Sequence, residues 1–306
     1  MGRIQNTMTM NLSRRRFLQS TAASCMASTL PLLAQEPAKA RKLRKAVMLG
    51  TVRVKTDTLL EKFKAIKEAG FEGVEPNGNM GQQEVIDALK GSGLECASVC
   101  CHSHWKDTLT HPDPAIRKKG IEGLLITLRD AKAYGTDSIL FVPGTVSAEV
   151  TYDVAYQRAQ EGIREAIPLA KELGVRISIE NVWNNFLLSP LEMARFIDEF
   201  DSPWVGAHFD IGNVLRYGWP EQWIKILGKR INRLHFKEFS TEKMQKEGLW
   251  KGFEVDFLEG SNNWKEIMTA LDGIGYQGWC IAEQRMGINP GDMAKLTEAM
   301  GKMFVM

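Results

Sequence analysis

Residues 176–183 read Arg-Ile-Ser-Ile-Glu-Asn-Val-Trp, and the rest of the chain can be understood from this stretch outward. Val175 to Ile179 is apolar enough to predict a short strand inside a sheet that is covered on both faces. Glu180 follows at the carboxyl end of that strand. In parallel α/β folds, the loops that carry chemistry gather at these ends. The stretch therefore predicts a buried parallel strand that ends in a functional carboxylate.

Three later segments repeat this arrangement of an apolar strand with a polar side chain at its end. Asp210, His235 and Glu283 occupy the corresponding positions. Three carboxylates at one end of a sheet repel one another unless a cation lies between them. Carboxylate and imidazole ligands suit divalent ions better than thiolate-loving metals. The pattern therefore predicts one divalent metal site built from Glu180, Asp210, His235 and Glu283.

Strand patterns and helix patterns alternate from Lys45 to the C-terminus. The predicted strands are residues 45–51, 71–75, 94–101, 138–142, 175–179, 204–209, 231–236 and 278–282. The predicted helices are residues 57–68, 82–90, 114–134, 152–173, 190–200, 220–227, 263–272 and 293–303. Right-handed β-α-β units close naturally at eight strands. We therefore predict the α/β class and a (β/α)8 TIM barrel, since no G-x-G-x-x-G fingerprint of an open dinucleotide-binding sheet follows the first strand.

The N-terminus resembles a twin-arginine export signal. Residues 13–18 read Ser-Arg-Arg-Arg-Phe-Leu, and a mildly apolar run without charge continues to Ala34. That run is short for a transmembrane helix, so we predict no stable membrane insertion. We expect a signal peptide at residues 1–34, a linker at 35–44, a barrel domain at 45–306, and export to the periplasm. Cleavage after Ala40 and a disordered or membrane-anchoring tail are the alternatives.

The charge balance and the cysteine spacing argue against a nucleic-acid-binding protein and against a structural zinc site. The 306 residues carry 39 basic and 37 acidic side chains, and removal of residues 1–34 leaves 35 basic side chains against 37. No basic stripe remains, so we predict no nucleic-acid partner. No CxxC pair occurs among the five cysteines, which argues against a structural zinc site. Cys96, Cys100, Cys101 and Cys280 are predicted to be buried free thiols, with a Cys100–Cys101 disulfide as the alternative.

The chain resembles the sugar isomerase/epimerase family with a xylose isomerase-like barrel, from about Lys45 to the C-terminus. This family includes ketose 3-epimerases and hexulose-phosphate isomerases and, more distantly, endonuclease IV. The order and spacing of five short motifs carry the resemblance. They lie at residues 70–75 (GFEGVE), 179–184 (IENVWN), 209–213 (FDIGN), 235–238 (HFKE) and 281–283 (IAE). The resemblance implies that the matching Glu180, Asp210, His235 and Glu283 bind one divalent metal.

The resemblance also implies the activity of a metal-dependent isomerase or epimerase in carbohydrate metabolism. Glu180 and Glu283 would move protons at the carbon beside a ketose carbonyl, through an enediolate. Two opposed glutamates give epimerisation, whereas one glutamate serving both steps gives aldose–ketose isomerisation. Mn²⁺ is the first choice of metal, with Co²⁺, Mg²⁺, Fe²⁺ and Zn²⁺ as alternatives. A 3-keto-glycoside lyase or hydratase with the same metal site, and a non-catalytic sugar-binding protein, are the alternative functions.

Six further side chains are candidates for binding a small-molecule sugar. Alternate residues of a strand face the same side, so His208 should accompany Asp210, and Lys237 should accompany His235. The predicted substrate-binding residues are His208, Lys237, Glu75, His102, Asn213 and Trp183, with His104 as the alternative to His102. Asn213 stands where relatives often carry His, which argues against the trinuclear metal site of endonuclease IV. Residues 239–262 are expected to cover the barrel mouth or to contact a second subunit, so a homo-oligomer is also predicted.

Overall fold

The computed structural model describes residues 41–284 and 290–306. Over these ranges the chain forms nine strands: β1 Leu43–Met48, β2 Gly73–Glu75, β3 Glu95–Cys96, β4 Val99–Cys100, β5 Ser138–Phe141, β6 Arg176–Glu180, β7 Val205–Asp210, β8 Ile231–Phe236 and β9 Gly278–Ala282. The helices are α1 Leu59–Glu68, α2 Gln82–Ser92, α3 Pro114–Tyr134, α4 Tyr152–Leu173, α5 Pro190–Asp198, α6 Ile211–Val214, α7 Pro220–Leu227, α8 Thr241–Glu247, α9 Trp264–Ile274 and α10 Pro290–Phe304. Short 3-10 turns occur at Leu49–Thr51, Gly228–Arg230 and Leu249–Phe253.

All the strands are parallel and form one sheet in the order β3-β2-β1-β9-β8-β7-β6-β5-β4. β3 pairs with β2 and β4 pairs with β5, so the two ends of this order are adjacent pieces of the same chain segment. The sheet is thus a nearly closed barrel with eight strand positions, and the prediction of a TIM barrel is confirmed. The continuous third strand predicted at residues 94–101 is wrong, because it is broken into β3 and β4.

The break falls at Ala97 and Ser98, where the backbone makes other bonds. The carbonyl oxygen of Ala97 accepts hydrogen bonds from the Arg233 Nε, at 2.6 Å, and from the Thr136 hydroxyl, at 3.1 Å. A backbone carbonyl bonded to side chains in this way is satisfied without a regular ladder. The sequence pattern could not reveal the break because Arg233 reaches Ala97 from a strand that lies far away in the chain.

Caps define the helix ends that the sequence indicated. The Ser189 hydroxyl accepts from the backbone N–H of Glu192, and Pro190 begins α5, as predicted. Thr58 and Glu61 form a reciprocal capping box at the start of α1. α4 ends at Gly174, whose φ of 68° is left-handed and favours glycine. The predicted bounds of α4 agree with the structure, and those of α3 and α7 do as well.

The main apolar core lies between the barrel and its helices, and the barrel interior is layered. Ala46, Ala97, Trp279 and Ile281 form a small apolar cluster inside the lower part of the barrel. Glu283 follows Ile281 by two residues, so polar groups begin one layer higher, at the carboxyl ends of the strands. This layering leaves the upper end of the barrel for polar chemistry.

The barrel begins slightly before the predicted boundary at residue 45. β1 begins at Leu43, and the Arg41 guanidinium pairs with Asp272 at 2.7 Å. Cys96, Cys100, Cys101 and Cys280 are buried free thiols, as predicted. No helix in the described ranges is long and apolar enough to cross a membrane. The signal peptide predicted at residues 1–34, its cleavage sites and most of the linker lie outside the described residues.

Candidate metal centre and active site

Four strand ends bring the predicted metal ligands together. Glu180 ends β6, Asp210 ends β7, His235 lies near the end of β8, and Glu283 follows β9. These are four consecutive strands of the barrel, so their carboxyl ends form one continuous arc. One ligand atom from each of the four side chains lies within 4.8 Å of the other three. The tertiary structure therefore assembles the predicted group.

Asp210 is oriented by the backbone around it. Its Oδ1 accepts a hydrogen bond of 2.7 Å from the N–H of Asn213 and caps the short helix α6. The side chain of Asn181 bonds both the N–H and the carbonyl of Asp210, each at 2.8 Å, and so joins the ends of β6 and β7. These contacts occupy Oδ1 and leave Oδ2 facing the cluster.

The two ring nitrogens of His235 contact different carboxylates. Its Nδ1 lies 3.0 Å from Glu180 Oε1 and 2.9 Å from Glu283 Oε2. Its Nε2 lies 2.9 Å from Oε2 of Glu75, which is fully buried. A histidine ligand commonly donates its second N–H to a carboxylate in this way, which fixes the tautomer and the ring orientation. Nδ1 is therefore the nitrogen available to a metal, and Glu75 is the group that positions it.

Lys237 contacts the same carboxylates from the cavity side. Its ammonium lies 2.9 Å from Asp210 Oδ2 and 2.6 Å from Glu283 Oε2. It also donates to the Asn213 side-chain oxygen at 3.3 Å. Glu238 does not pair with Lys237. It accepts instead from the Trp264 indole at 2.8 Å and from backbone N–H groups of residues 239–262, and so anchors that segment.

Burial and charge move the pKa values of the cluster in different directions. Burial raises the pKa of Asp210 to about 7, and the charge of Lys237 opposes part of that rise. Burial also raises the pKa of Glu180, against the hydrogen bond from His235. For Glu283, the charges of Lys237 and His235 outweigh burial and lower the pKa. Burial lowers the pKa of His235, but the surrounding carboxylates, Glu75 first, raise it well above the usual value.

The residues present fit a divalent cation. Three carboxylates and one imidazole are typical ligands for hard or borderline divalent ions. Asp210 Oδ2 and Glu283 Oε2 are both buried and lie 2.9 and 2.6 Å from the Lys237 ammonium. With Glu180 they place three carboxylates beside one ammonium and one imidazole, and a divalent cation would compensate the excess negative charge. The arrangement therefore suits a metal ion bound by Glu180, Asp210, His235 Nδ1 and Glu283.

A cavity of about 420 Å³ opens above this cluster. Of the four candidate ligands, Glu180 and Glu283 line the cavity. Asp210 and His235 are fully buried beneath it, whereas the Glu283 side chain is 22% exposed. A substrate in this central cavity would therefore meet two carboxylates, with the other two ligands behind them.

The predicted substrate-binding residues divide into two groups. Lys237, Asn213 and Trp183 line the central cavity. The other three are not among the residues that line it. His208 faces inward, as parity predicts, but it is fully buried, and its ring centroid lies 4.2 Å from that of His235. Glu75 lies against the Nε2 side of His235, and for both residues a role in sugar binding stays a prediction.

His102 is the third predicted residue that does not line the cavity. It is exposed and lies near Gly123 of α3, whereas His104 is buried and lines the central cavity. The Nδ1 of His104 accepts from the Val142 N–H at 3.2 Å, and burial lowers the pKa of His104 to about 3. His104 is therefore neutral, with its proton on Nε2. The two histidines have the same strand parity, so sequence spacing could not choose between them.

The central cavity also contains residues that the sequence did not single out. Arg53 comes from the loop after β1, and Phe253 comes from the segment between β8 and α9. The Phe253 ring packs 5.0 Å from Trp183 and 5.4 Å from the Lys237 ammonium. Neither residue stands at a strand end, which is the signal that found the metal ligands. The segment 239–262 does line the cavity, as one of the two sequence-based alternatives expected.

The fold and the site define a TIM-barrel protein with a candidate metal centre at the carboxyl ends of its strands. The chain belongs to the xylose isomerase-like TIM barrel family, whose description matches residues 63–301. It is 23% identical over 200 residues to the L-ribulose-5-phosphate 3-epimerase UlaE of Escherichia coli O1:K1 / APEC, which covers 65% of this chain and 68% of the relative. The family predicted from the motifs is confirmed.

Solved structures share the same barrel. A D-tagatose 3-epimerase-like protein superposes with a TM-score of 0.72 at 18% identity and covers 86% of this chain and 97% of its own. The 3-keto-D-glucoside 4-epimerase YcjR from E. coli superposes with a TM-score of 0.70 at 17% identity, covering 87% of this chain and all of its own. These likenesses concern the fold. Together with the curated relative, the family supports the predicted isomerase-class sugar enzyme.

Proposed function

We propose that the protein is a divalent-metal-dependent epimerase or isomerase that acts on a ketose or a related keto-sugar. The main support is the position of two of the candidate ligands. Glu180 and Glu283 both line the central cavity, while Asp210 and His235 complete the candidate metal group beneath them. A binding protein needs no pair of carboxylates that reach both the ion and the substrate. The curated relative, named as a 3-epimerase of a ketose phosphate, supports the same class of reaction.

The two glutamates are the proposed proton carriers. One carboxylate takes the hydrogen of the carbon beside the carbonyl as a proton and becomes a carboxylic acid. A carboxylic acid on the other side of the same carbon returns a proton to the opposite face, so the stereocentre inverts. If one glutamate serves both steps, the outcome is isomerisation. Asn181 keeps Asp210 in place during this exchange, and Glu75 keeps His235 in place.

The proposed metal is Mn²⁺, with Co²⁺, Mg²⁺, Fe²⁺ and Zn²⁺ as the other candidates for this ligand set. Bound there, the ion would polarise the substrate carbonyl and stabilise the negative charge that develops on its oxygen. Lys237 lies at the same carboxylates and lines the cavity, so it is proposed to orient a substrate oxygen once the ion shares Asp210 and Glu283.

Solvent deuterium exchange tests the proposal directly. The protein is loaded with Mn²⁺ and incubated in D₂O with ketoses, and the carbon beside the carbonyl is followed by NMR. We expect deuterium at that carbon, together with a new stereoisomer or an aldose. Release of an aglycone from a 3-keto-glycoside would instead support the lyase alternative. Stoichiometric metal without exchange from any ketose or keto-glycoside would refute proton transfer.

Glu283→Gln is the decisive variant in that assay. The amide cannot carry the proton, so exchange should fall by roughly 10²–10⁴-fold. Metal content is measured on the same sample, because Glu283 is also a candidate ligand. Glu298→Gln is the matched control, since Glu298 forms an exposed ion pair with Lys302 on α10, away from the central cavity. Equal exchange in the two variants would remove Glu283 from the mechanism.

We also propose export to the periplasm by the twin-arginine route. The support is the sequence Ser-Arg-Arg-Arg-Phe-Leu at residues 13–18, followed by an uncharged run to Ala34. This route carries folded proteins, which suits a metal acquired before export. Replacement of Arg14 and Arg15 by lysine should retain the full-length precursor in the cytoplasm, as measured by cell fractionation. Unchanged processing and periplasmic recovery would contradict the proposal.

A further inference from the structure

The outer wall of the central cavity is aromatic. Trp105 and Trp250 both line it, and each is 55% exposed. Burial of an aromatic side chain contributes strongly to stability, so two largely exposed tryptophans in one cavity wall are unusual for packing alone. They lie at the rim, away from the deeply buried Asp210 and His235.

The two tryptophans come from opposite sides of the barrel. Trp105 follows β4, which is part of the third strand position, and Trp250 follows β8, which is the seventh of eight. Trp250 packs on the Trp183 ring at 5.1 Å, and the Trp183 indole donates to the Asn213 carbonyl at 2.8 Å. Trp105 stands edge-on to the His104 ring at 5.6 Å. Each tryptophan therefore rests on a neighbouring ring, and the two belong to different parts of the same cavity wall.

Few basic side chains line the part of the cavity that the structure describes. Among the described residues that line the cavity, Arg53 and Lys237 are the basic side chains. Lys237 already pairs with Asp210 and Glu283. Arg53 is exposed at the rim and donates to the Gly50 carbonyl at 3.1 Å. A phosphate site normally combines several cationic or backbone N–H donors.

We infer that the substrate is a keto-sugar that carries a second ring, and that this ring packs against Trp105 and Trp250. This inference rests on the proposed function and specifies its substrate class. The reacting carbon lies at Glu180 and Glu283, and the second ring extends toward the rim. The flat, apolar face of a sugar or aromatic ring packs on indole, whereas a charged phosphate gains nothing there. Trp105 and Trp250 are thus specificity-determining residues.

The test compares three probes on the Mn²⁺-loaded protein: a free ketohexose, a ketopentose 5-phosphate and a phenyl 3-keto-hexoside. Deuterium exchange is measured as kcat/KM for each. We expect the phenyl 3-keto-hexoside to exceed the ketopentose phosphate by at least tenfold. Preference for the phosphate would overturn the inference while leaving the proposed proton transfer intact. Absence of exchange from all three probes would overturn both.

Substitutions at Trp105 and Trp250 distinguish ring binding by these two side chains from general effects on activity. Trp105→Ala and Trp250→Ala should each reduce the preference for the phenyl probe over the free ketose by roughly tenfold, and Trp→Phe at either position should restore most of it. Trp219→Ala is the matched control, because Trp219 is 61% exposed and does not line the cavity. Binding of an unreactive phenyl hexoside, followed by tryptophan fluorescence, provides a readout without turnover. An unchanged preference and an unchanged Kd in both alanine variants would refute the role of the pair.

Discussion

At the residue scale, the orientation of His235 depends on Glu75. Glu75 ends β2 and is fully buried, and its Oε2 lies 2.9 Å from His235 Nε2. The sequence suggested that Glu75 contacts the sugar, because its strand position resembles that of Glu180. The structure places it against the Nε2 side of the imidazole and not among the residues that line the cavity. Its proposed role is therefore to hold the histidine with Nδ1 directed at the metal.

Glu75→Gln should weaken metal binding without removing the fold. The neutral amide holds the imidazole less firmly and makes Nδ1 a weaker ligand, so the Kd for Mn²⁺ should rise roughly 10–100-fold. Calorimetric titration with Mn²⁺ measures this effect, and the Tm of the metal-free protein reports any loss of structure. Glu84→Gln, at an exposed position on α2, serves as the control. An unchanged Kd with an increased KM for sugar would instead support the sequence-based role in substrate binding.

Asp210 and Asn213 occur three residues apart because one caps the helix turn that contains the other. Asp210 Oδ1 caps α6 through the Asn213 N–H, and Oδ2 remains for the metal. The Asn213 side chain donates to the Asn181 carbonyl and accepts from Lys237. One short motif thus joins the metal ligand, the neighbouring strand end and the lysine of the cavity. A histidine at 213 could not reproduce both of these amide contacts.

At the element scale, α6 must approach the end of β8 very closely. A Cβ added at Gly212 would lie 2.8 Å from the Lys237 carbonyl oxygen and 2.9 Å from the Lys237 Cβ. These are backbone and near-backbone atoms, so they cannot move aside easily. The glycine of the motif therefore permits α6 to pack where Asp210 and Lys237 can both reach the cluster.

Gly212→Ala should destabilise the protein by about 1–3 kcal/mol through overpacking and should also weaken Mn²⁺ binding. Gly273→Ala is the control variant. Gly273 lies within α9, and an added Cβ there meets nothing within 4 Å. That change should stabilise the protein by about 0.5–1 kcal/mol. Urea denaturation measures both values. Equal effects in the two variants would show that the close approach at Gly212 has no energetic consequence.

At the scale of the whole molecule, the candidate metal group joins four consecutive strands of one barrel. β6, β7, β8 and β9 each supply one candidate ligand at the same end of the sheet. Any ion that binds the folded chain and not the unfolded chain must stabilise the fold by mass action. Metal binding should therefore report on the integrity of the entire barrel.

Removal of metal should lower the Tm. At a free metal concentration 100 times the Kd, binding adds about 2.7 kcal/mol, which corresponds to a decrease of roughly 5–10 °C on chelation for a barrel of this size. Differential scanning calorimetry with Mn²⁺ and then with EDTA measures the change. Glu180→Gln should show little difference between the two conditions. A wild-type Tm that is insensitive to metal would argue against the four-ligand site.

The sequence by itself determined the architecture and the candidate metal group. Strand and helix periods are local, caps such as Ser189 and Gly174 are local, and a polar residue at the end of an apolar strand is visible in the sequence. Parallel strands in a barrel bring such ends together, so the group formed by Glu180, Asp210, His235 and Glu283 could be predicted before any coordinates. The inward direction of His208 followed from parity in the same way.

Only the tertiary structure decided the depth of each side chain and its partner. Glu75 and His208 lie beneath the cavity, His104 replaces His102 in its wall, and Arg233 breaks the third strand by bonding Ala97 across the barrel. Parity gives the face of a strand but not the height of a residue within the barrel, and that height depends on the stagger between strands. Contacts between residues far apart in the chain leave no periodic signal, because they are fixed when the barrel closes.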